Sequence, residues 1–341
     1  MKRLTLEEIG KLAGVSRATV SRVINDYPFI RPEIRAKVQA IIDQTGFRPN
    51  SIARSLVSSR SNIVGLIIPS VVQKVFTDPY FASLIHGIAQ GCNRNNLVLS
   101  VYLFHSLEEK HNVIQTIVGT GLVDGMIVTG DSRDFEILDI FLKSQIPLVM
   151  VGEPDRADVS YVDTDNFGGA YTATKYLINM GFQRIGIITT EINKSSEQRF
   201  QGYKQALLDH NIAIHENLIA WGNYTAESGY LAMREILPHR PDAVFSSNDA
   251  MALGCLRALR EANIRVPEDI SLVGFDDLPQ ALQAEPPLTT IQQTIQESGC
   301  EAVELLLRLL NDDGPTPLRT ILPNTLIVRG TTRAVQSQTS L

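Results

Sequence analysis

Thr5-Leu-Glu-Glu-Ile-Gly-Lys-Leu-Ala-Gly-Val-Ser-Arg-Ala-Thr-Val-Ser-Arg-Val-Ile-Asn25 is the stretch whose reading decides how this chain is built. Thr5 and Glu8 have the spacing of a capping box, in which the hydroxyl caps a helix and the carboxylate reaches back. Leu6, Ile9, Leu12 and Ala13 recur at helical spacing, and Gly14 ends the run. Ser16 then caps a second short helix, with Val20, Val23 and Ile24 as one apolar stripe. Pro32 opens a third helix over Ile34, Val38, Ile41 and Ile42, and Gly46 closes it. Three short helices with a tight, glycine-containing turn between the first two predict a helix-turn-helix.

The outward face of the second helix carries Arg17, Ala18, Ser21, Arg22 and Asn25, all short or hydrogen-bonding. In such a motif that helix enters the major groove with its N-terminal residues at base edges. Arg22 suits bidentate contact with guanine O6 and N7, and Arg17 can do the same or hold a phosphate. Thr5, Ser16, Thr19 and Asn25 suit phosphates, which position without specifying sequence. Singly, each residue is an ordinary cap or surface group; the pattern as a whole points to DNA.

Charge agrees with the pattern. Residues 1–60 hold 11 Lys and Arg against 5 Asp and Glu, whereas the remaining 281 hold 20 against 32. A basic head on an acidic body is the footprint of a nucleic-acid-binding module joined to something else. At 341 residues, with 44% hydrophobic and 20% charged side chains, two or three globular units are expected. No apolar run reaches the roughly 18 residues of a membrane span, and no apolar signal-peptide core follows Met1. Cys92, Cys255 and Cys300 are odd in number and far apart, which suggests reduced thiols and a cytoplasmic address.

From Ile63 onward, strand-like runs alternate with amphipathic stretches. One set comprises 63–68, 97–103, 125–128 and 148–151, with helices near 81–94, 109–118 and 135–143. A second set comprises 184–188, 218–221, 243–245 and 271–275, with helices near 168–180, 200–209, 227–237 and 250–262. This alternation predicts an α/β body of two doubly wound parallel sheets with a cleft between them, and ligands at the carboxyl ends of the strands.

Enzyme and cofactor signatures are missing. The cluster Gly119-Thr-Gly121-Leu-Val-Asp-Gly125 follows a helix and precedes a strand, the reverse of a dinucleotide fold. The six histidines are scattered, so no metal site is expected. No catalytic constellation and no cofactor are therefore expected. What the body offers is Thr129, Asn248-Asp249 and Asp276-Asp277 at strand ends, with Arg199 opening a helix after the loop 192–198. A carboxylate, an amide and a guanidinium converging on one cleft suit vicinal hydroxyls. Asp165 and Asp249 are equally good as helix caps, and Arg199 could be half of a structural ion pair.

Val15–Asn25, Gly46-Phe-Arg-Pro-Asn50 and Ala53-Arg-Ser-Leu56 resemble the lactose/galactose repressor family in order, spacing and residue type. At lower density the resemblance continues through Asp78-Pro-Tyr-Phe81, Val123-Asp-Gly125, Arg199-Phe-Gln-Gly-Tyr203, Asn248–Gly254, Gly274-Phe-Asp-Asp277 and Pro287–Gln293, spanning about 3–333. It implies a helix-turn-helix domain over 1–48 and a hinge helix and linker over 49–60. Asn50, Ala53 and Arg54 of the hinge would lie on DNA, with Leu56 of each protomer wedged into the central minor groove. It implies a core like that of periplasmic sugar-binding proteins: one subdomain from 61–162 with 291–322, the other from 163–290 with 323–335. Arg199, Asn248 and Asp276 would hold hydroxyls, Tyr224 would stack, Phe81 would line the opposite wall, and Gln293 would come from a crossover strand.

The implied partners are pseudo-palindromic operator DNA, a second copy of the chain and a small polar effector such as a sugar or sugar derivative, with no membrane. A leucine-heptad tail is missing, since Ala334–Leu341 is short and polar; a dimer is therefore expected, not a tetramer. Gly152, Glu191, Lys194 and Glu197 depart from the family pattern, so the effector does not carry over from a relative. The competing readings are a purine-type corepressor on the same architecture, a solute-binding protein of a transporter, and a sugar-converting enzyme.

Overall fold

The computed structural model describes residues 4–24, 27–47, 60–130, 135–191 and 193–333. The chain divides into two compact units, Met1–Asn62 and Ile63–Leu341.

In the first unit, α1 (Leu6–Ala13), α2 (Arg17–Ile24) and α3 (Pro32–Thr45) surround a small core of Ile9, Ala13, Val20, Val23, Val38 and Phe47. The capping box forms: Glu8 N donates to Thr5 Oγ1 at 3.3 Å, and Thr5 N donates to Glu8 Oε2 at 2.7 Å. Gly14 closes α1 in the left-handed region at φ 66°. Gly10 lets the turn pack tightly, because a Cβ there would stand 2.8 Å from the Val15 carbonyl oxygen. Helical spacing puts Leu12 on the buried stripe, but it is 56% exposed; Ile9 and Ala13, one turn apart, supply the inward positions instead.

The second unit begins with β1 (Ile63–Val71), α4 (Val72–Thr77), α5 (Pro79–Arg94), β2 (Val98–Phe104), α6 (Leu107–Thr120), β3 (Gly125–Thr129), α7 (Phe135–Ser144), β4 (Leu148–Val151) and β5 (Ser160–Thr164). It continues with α8 (Asn166–Asn179), β6 (Ile185–Thr189), α9 (Lys194–Asp209), β7 (Ile219–Trp221), α10 (Ala226–Ile236), β8 (Ala243–Ser246), α11 (Asp249–Glu261), β9 (Ser271–Asp276), α12 (Pro279–Gln283) and β10 (Thr289–Gln293). It ends with α13 (Ile295–Leu310), β11 (Arg319–Leu322) and β12 (Asn324–Ile327).

Among the described residues, the strands form two six-stranded sheets, ordered β11-β5-β4-β3-β1-β2 and β12-β10-β9-β8-β6-β7. Each of these pairings is parallel except β10 with β12. Strands β3, β4, β6, β8 and β9 are buried along their whole length, which is why they read as continuous apolar runs. Each sheet reverses its winding at an internal strand pair, β1 with β3 and β6 with β8. The crevices where such folds take ligands therefore lie at the carboxyl ends of those pairs.

The chain passes between the halves near 165, near 294 and at Pro323. The family pattern puts the first two crossings at 162 and 290; β5 and β10 keep their ladder pairing to Thr164 and into Gln292–Gln293, which moves both. Helix α13 returns to pack on α5, where Gly87 and Gly299 allow backbone-to-backbone approach: a Cβ on Gly87 would stand 2.1 Å from the Gln296 carbonyl oxygen. Helix α9 starts at Lys194, capped by the Asn193 side chain, not near residue 200. Arg199 thus lies in its second turn, and Lys194 and Glu197 belong to the helix, not to a loop.

Candidate functional site

Two surfaces carry chemistry. On the first, Arg17, Ala18 and Arg22 stand exposed along α2, opposite the buried Val20 and Val23. Ser16 caps α2 by accepting from Thr19 N at 3.1 Å, and the two hydroxyls lie 2.9 Å apart. Ser21 and Thr19 are half-buried and Thr5 is exposed. The Arg22 guanidinium lies 5.7 Å from the centroid of the Tyr27 ring, which restrains an otherwise flexible side chain. Asn25, Asn50, Ala53, Arg54 and Leu56 lie outside the described residues.

The second surface is at the carboxyl ends of the core strands. Arg199, 5% exposed, donates from Nε to Asn166 Oδ1 at 2.8 Å and from Nη1 to the Ser247 carbonyl at 2.6 Å. Its Nη1 also lies 3.5 Å from Asp276 Oδ1, and the guanidinium is stacked on Phe275, 3.7 Å from the ring centroid. Gln293, from the end of β10, donates to Asp276 Oδ1 at 2.6 Å. Asp276 itself sits at φ 119°, turning the backbone out of β9 into the cleft. Burial pushes its carboxyl up to about 7; Arg199 pulls it back and the Asp78 charge adds to the rise.

Asn166 bridges Arg199 to Asp163: its Nδ2 donates to Asp163 Oδ1 at 3.1 Å. Asp163 is raised by burial, against the pull of the Glu153 and Thr164 amides that donate to it. Tyr80 feels both Asp163 and Asp276, and its phenol is pushed upward, first by burial. The hydroxyls of Thr189 and Ser247 are fully buried at the ends of β6 and β8 without a hydrogen-bond partner. Oriented donors and acceptors beside an aromatic wall can clasp a hydroxylated ring.

The structure brings together Arg199, Asp276 and Gln293 directly. Asn248 lies beside them: Oδ1 caps α11 by accepting from Met251 N at 2.9 Å, and Nδ2 gives one of its two hydrogens to the Tyr224 carbonyl at 3.3 Å. Tyr224, in the left-handed region at φ 68°, donates its hydroxyl to Asn193 Oδ1 at 3.0 Å. Phe81 is 7% exposed and packs in the first half's core, edge-on to Tyr80; Tyr80 is the ring that senses the cleft's charges. Thr129 is buried at the end of β3. Asp165 caps α8, and the fully buried Asp249 accepts from Thr290 Oγ1 at 2.6 Å and Leu278 N at 2.8 Å. Sequence reading misses Tyr80, Asp163 and Asn166; the last two stand at the first crossing, whose strand carries no clear apolar signal. Among the described residues no group of three or more His, Cys, Asp or Glu is placed to hold a metal ion. None of their helices is long and apolar enough to cross a membrane.

Residues 5–50 match the model of bacterial regulatory proteins of the lacI family, and 174–332 match a periplasmic binding protein-like domain. The HTH-type transcriptional regulator CelR of Thermobifida fusca is 36% identical over 96% of this chain and 98% of its own. This chain belongs to the lacI family. It is therefore a DNA-binding transcriptional regulator, not an enzyme. A second family member, the HTH-type transcriptional repressor PurR of Haemophilus influenzae (strain PittEE), is 34% identical over 91% of this chain and 93% of its own. Among solved family structures, the CelR–cellobiose complex superimposes with a TM-score of 0.77 at 35% identity, covering 96% of this chain and 100% of that one. The lac repressor dimer bound to operator and an anti-inducer superimposes at 0.85 and 25% identity, covering 98% and 100%. The likeness thus spans both the helix-turn-helix and the two-sheet core.

Proposed function

We propose that this family member is a cytoplasmic repressor that binds a pseudo-palindromic operator as a homodimer and is released or retained by a sugar-like effector in the core cleft. Residues 1–48 read the major groove through Arg17 and Arg22, and 49–60 act as the hinge, with Leu56 in the central minor groove. The cleft lies between one subdomain from 61–164 with 295–322 and another from 166–293 with 324–333. Arg199, Asp276, Gln293 and Asn248 hold the effector from the second subdomain, with Tyr224 beside them. Tyr80 faces it from the first, with Thr129 buried at the end of β3, while Phe81 backs Tyr80 from the core.

The observation that carries the effector reading is the Arg199–Asp276–Gln293 cluster beside the unpartnered Ser247 and Thr189 hydroxyls. Acceptors and donors in this mixture match vicinal hydroxyls, and CelR, a relative of similar length, is known in complex with cellobiose. The test pairs DNA selection with a thermal-shift panel of sugars, sugar phosphates and purine bases. A ligand at about 100 times its Kd adds about 2.7 kcal/mol to stability, a readily seen shift. A palindromic consensus together with a sugar-induced shift is expected. A response to purine bases alone overturns the sugar, and no enrichment of a consensus sequence overturns the operator.

A further inference from the structure

Glu153 follows β4 of the first half, yet its carboxylate is gripped by the second. Lys194 Nζ lies 2.9 Å from Oε1, and Gln198 Nε2 donates to Oε2 at 2.6 Å. Lys194 and Gln198 are one turn apart on α9, so one helix face closes on one carboxylate. Asp155 Oδ1 lies 3.7 Å from the same ammonium. The Glu153 and Lys194 side chains are only 25% and 28% exposed, so water screens this pair less than a surface pair.

The grip continues inward without a break. The Glu153 amide donates to Asp163 Oδ2 at 2.9 Å, Asp163 accepts from Asn166, Asn166 accepts from Arg199, and Arg199 meets Asp276. The rim and floor of the cleft are therefore one polar network, and its charges are unbalanced. At the rim Glu153 and Asp155 share Lys194. At the floor Asp163 and Asp276, both raised by burial and the latter also by the Asp78 charge, share Arg199, and both cations are already engaged by the protein's own acceptors. An uncharged ring can exchange hydroxyl hydrogen bonds with these groups. A phosphate brings negative charge to a site whose cations are committed and whose remaining charges repel it.

We infer that Glu153 is a specificity-determining residue that restricts the effector to uncharged, polyhydroxylated molecules and turns away phosphorylated sugars. Specificity here is a repulsive element built against the wrong ligand as much as an attraction to the right one. The inference rests on the sugar reading above and narrows it.

The test is isothermal calorimetry of the full-length chain with glucose, galactose, ribose and cellobiose, their phosphate esters, and a purine base. The neutral sugar that binds is expected to exceed its phosphate ester by at least about tenfold, which is 1.4 kcal/mol. Glu153→Gln, which keeps the geometry and removes the charge, should narrow that ratio. Lys194→Met, which uncovers the carboxylates, should widen it. Opposite movements are the signature of an electrostatic filter. If both variants weaken neutral and phosphorylated sugars alike, Glu153 only supports the fold and the inference fails. Equal or tighter binding of the phosphate ester by the wild type also overturns it, while leaving the sugar reading in place. Binding of the purine base but of no sugar in either form overturns both.

Discussion

Arg199 stacks on Phe275, 3.7 Å from the ring centroid, and Phe275 immediately precedes Asp276, the carboxylate that the same guanidinium meets at 3.5 Å. One dipeptide at the end of β9 thus fixes the plane of the arginine and supplies its counter-charge. The remaining constraints come from the Ser247 carbonyl and from Asn166, the latter at the first crossing between the halves. An effector that perturbs Arg199 therefore acts directly on a segment joining the two subdomains.

Asn166→Ala leaves a buried, charged N–H of Arg199 without its acceptor and takes one donor away from Asp163. Such a loss costs about 1–3 kcal/mol. The expected outcome is a lower unfolding midpoint together with a weakened effector response, read by chemical denaturation and calorimetry. A stable variant with normal effector affinity would show that Arg199 is held well enough by Phe275 and Ser247 alone.

The Asp276 carboxyl, raised by burial to about 7, makes stability depend on pH in a definite direction. Its unfolded value is about 3.9. Between these values the folded chain binds a proton that the unfolded chain does not, so this contribution is full below the unfolded value and is lost as pH rises through the folded one. Asp276→Asn removes that loss. The stability of wild type relative to the variant should decline from pH 4 to pH 7 in parallel denaturation series. A difference that stays constant over this range would contradict the shift. Asp249, also raised by burial, leaves a residual slope in the variant itself.

Arg22→Ala tests base reading on α2. The expected cost is about 1–3 kcal/mol on the preferred operator, with relaxed base preference at one half-site position, measured by anisotropy on operator variants. An equal loss on every variant would reassign Arg22 to a phosphate. In the same assay wild-type affinity should fall steeply with salt, by about 0.9 in log–log slope for each phosphate neutralised.

Leu56→Ala tests the hinge. DNA bending and specific affinity should both drop while effector affinity stays unchanged, because an apolar wedge opens a base step that alanine cannot fill. Wild-type bending by the variant, in a circular-permutation or energy-transfer assay, would remove Leu56 from that role.

Much of this architecture is legible in the amino-acid sequence. Helix-turn-helix residues announce themselves because caps, glycines and apolar spacing act within one or two turns, as Thr5, Gly14 and Ser16 do. The central strands read clearly because parallel strands buried on both faces are apolar runs. What stays hidden is non-local. Strand β5 and edge strand β11 carry polar residues at the crossings, so periodicity says little about them. Two partners of Arg199, Asn166 and Ser247, lie 33 and 48 residues away in sequence. The latch of Glu153 with Lys194 and Gln198 is hidden for the same reason, and a loop reading of 192–198 conceals the helical spacing that places both residues on one face. Spacing alone also does not say which of two adjacent aromatics, Tyr80 or Phe81, turns into the core.

The account's central claim is that the cleft and the DNA-reading head are thermodynamically linked. The most direct measurement is calorimetric titration of the sugar found in the thermal-shift panel into the full-length chain, with and without saturating selected operator. Linkage requires operator to change sugar affinity by the same factor by which sugar changes operator affinity, typically about 5- to 150-fold. A shift of that size, matched in the reciprocal anisotropy experiment and abolished by Asp276→Ala, is the predicted result. Identical sugar affinity in the presence and absence of operator would contradict the account.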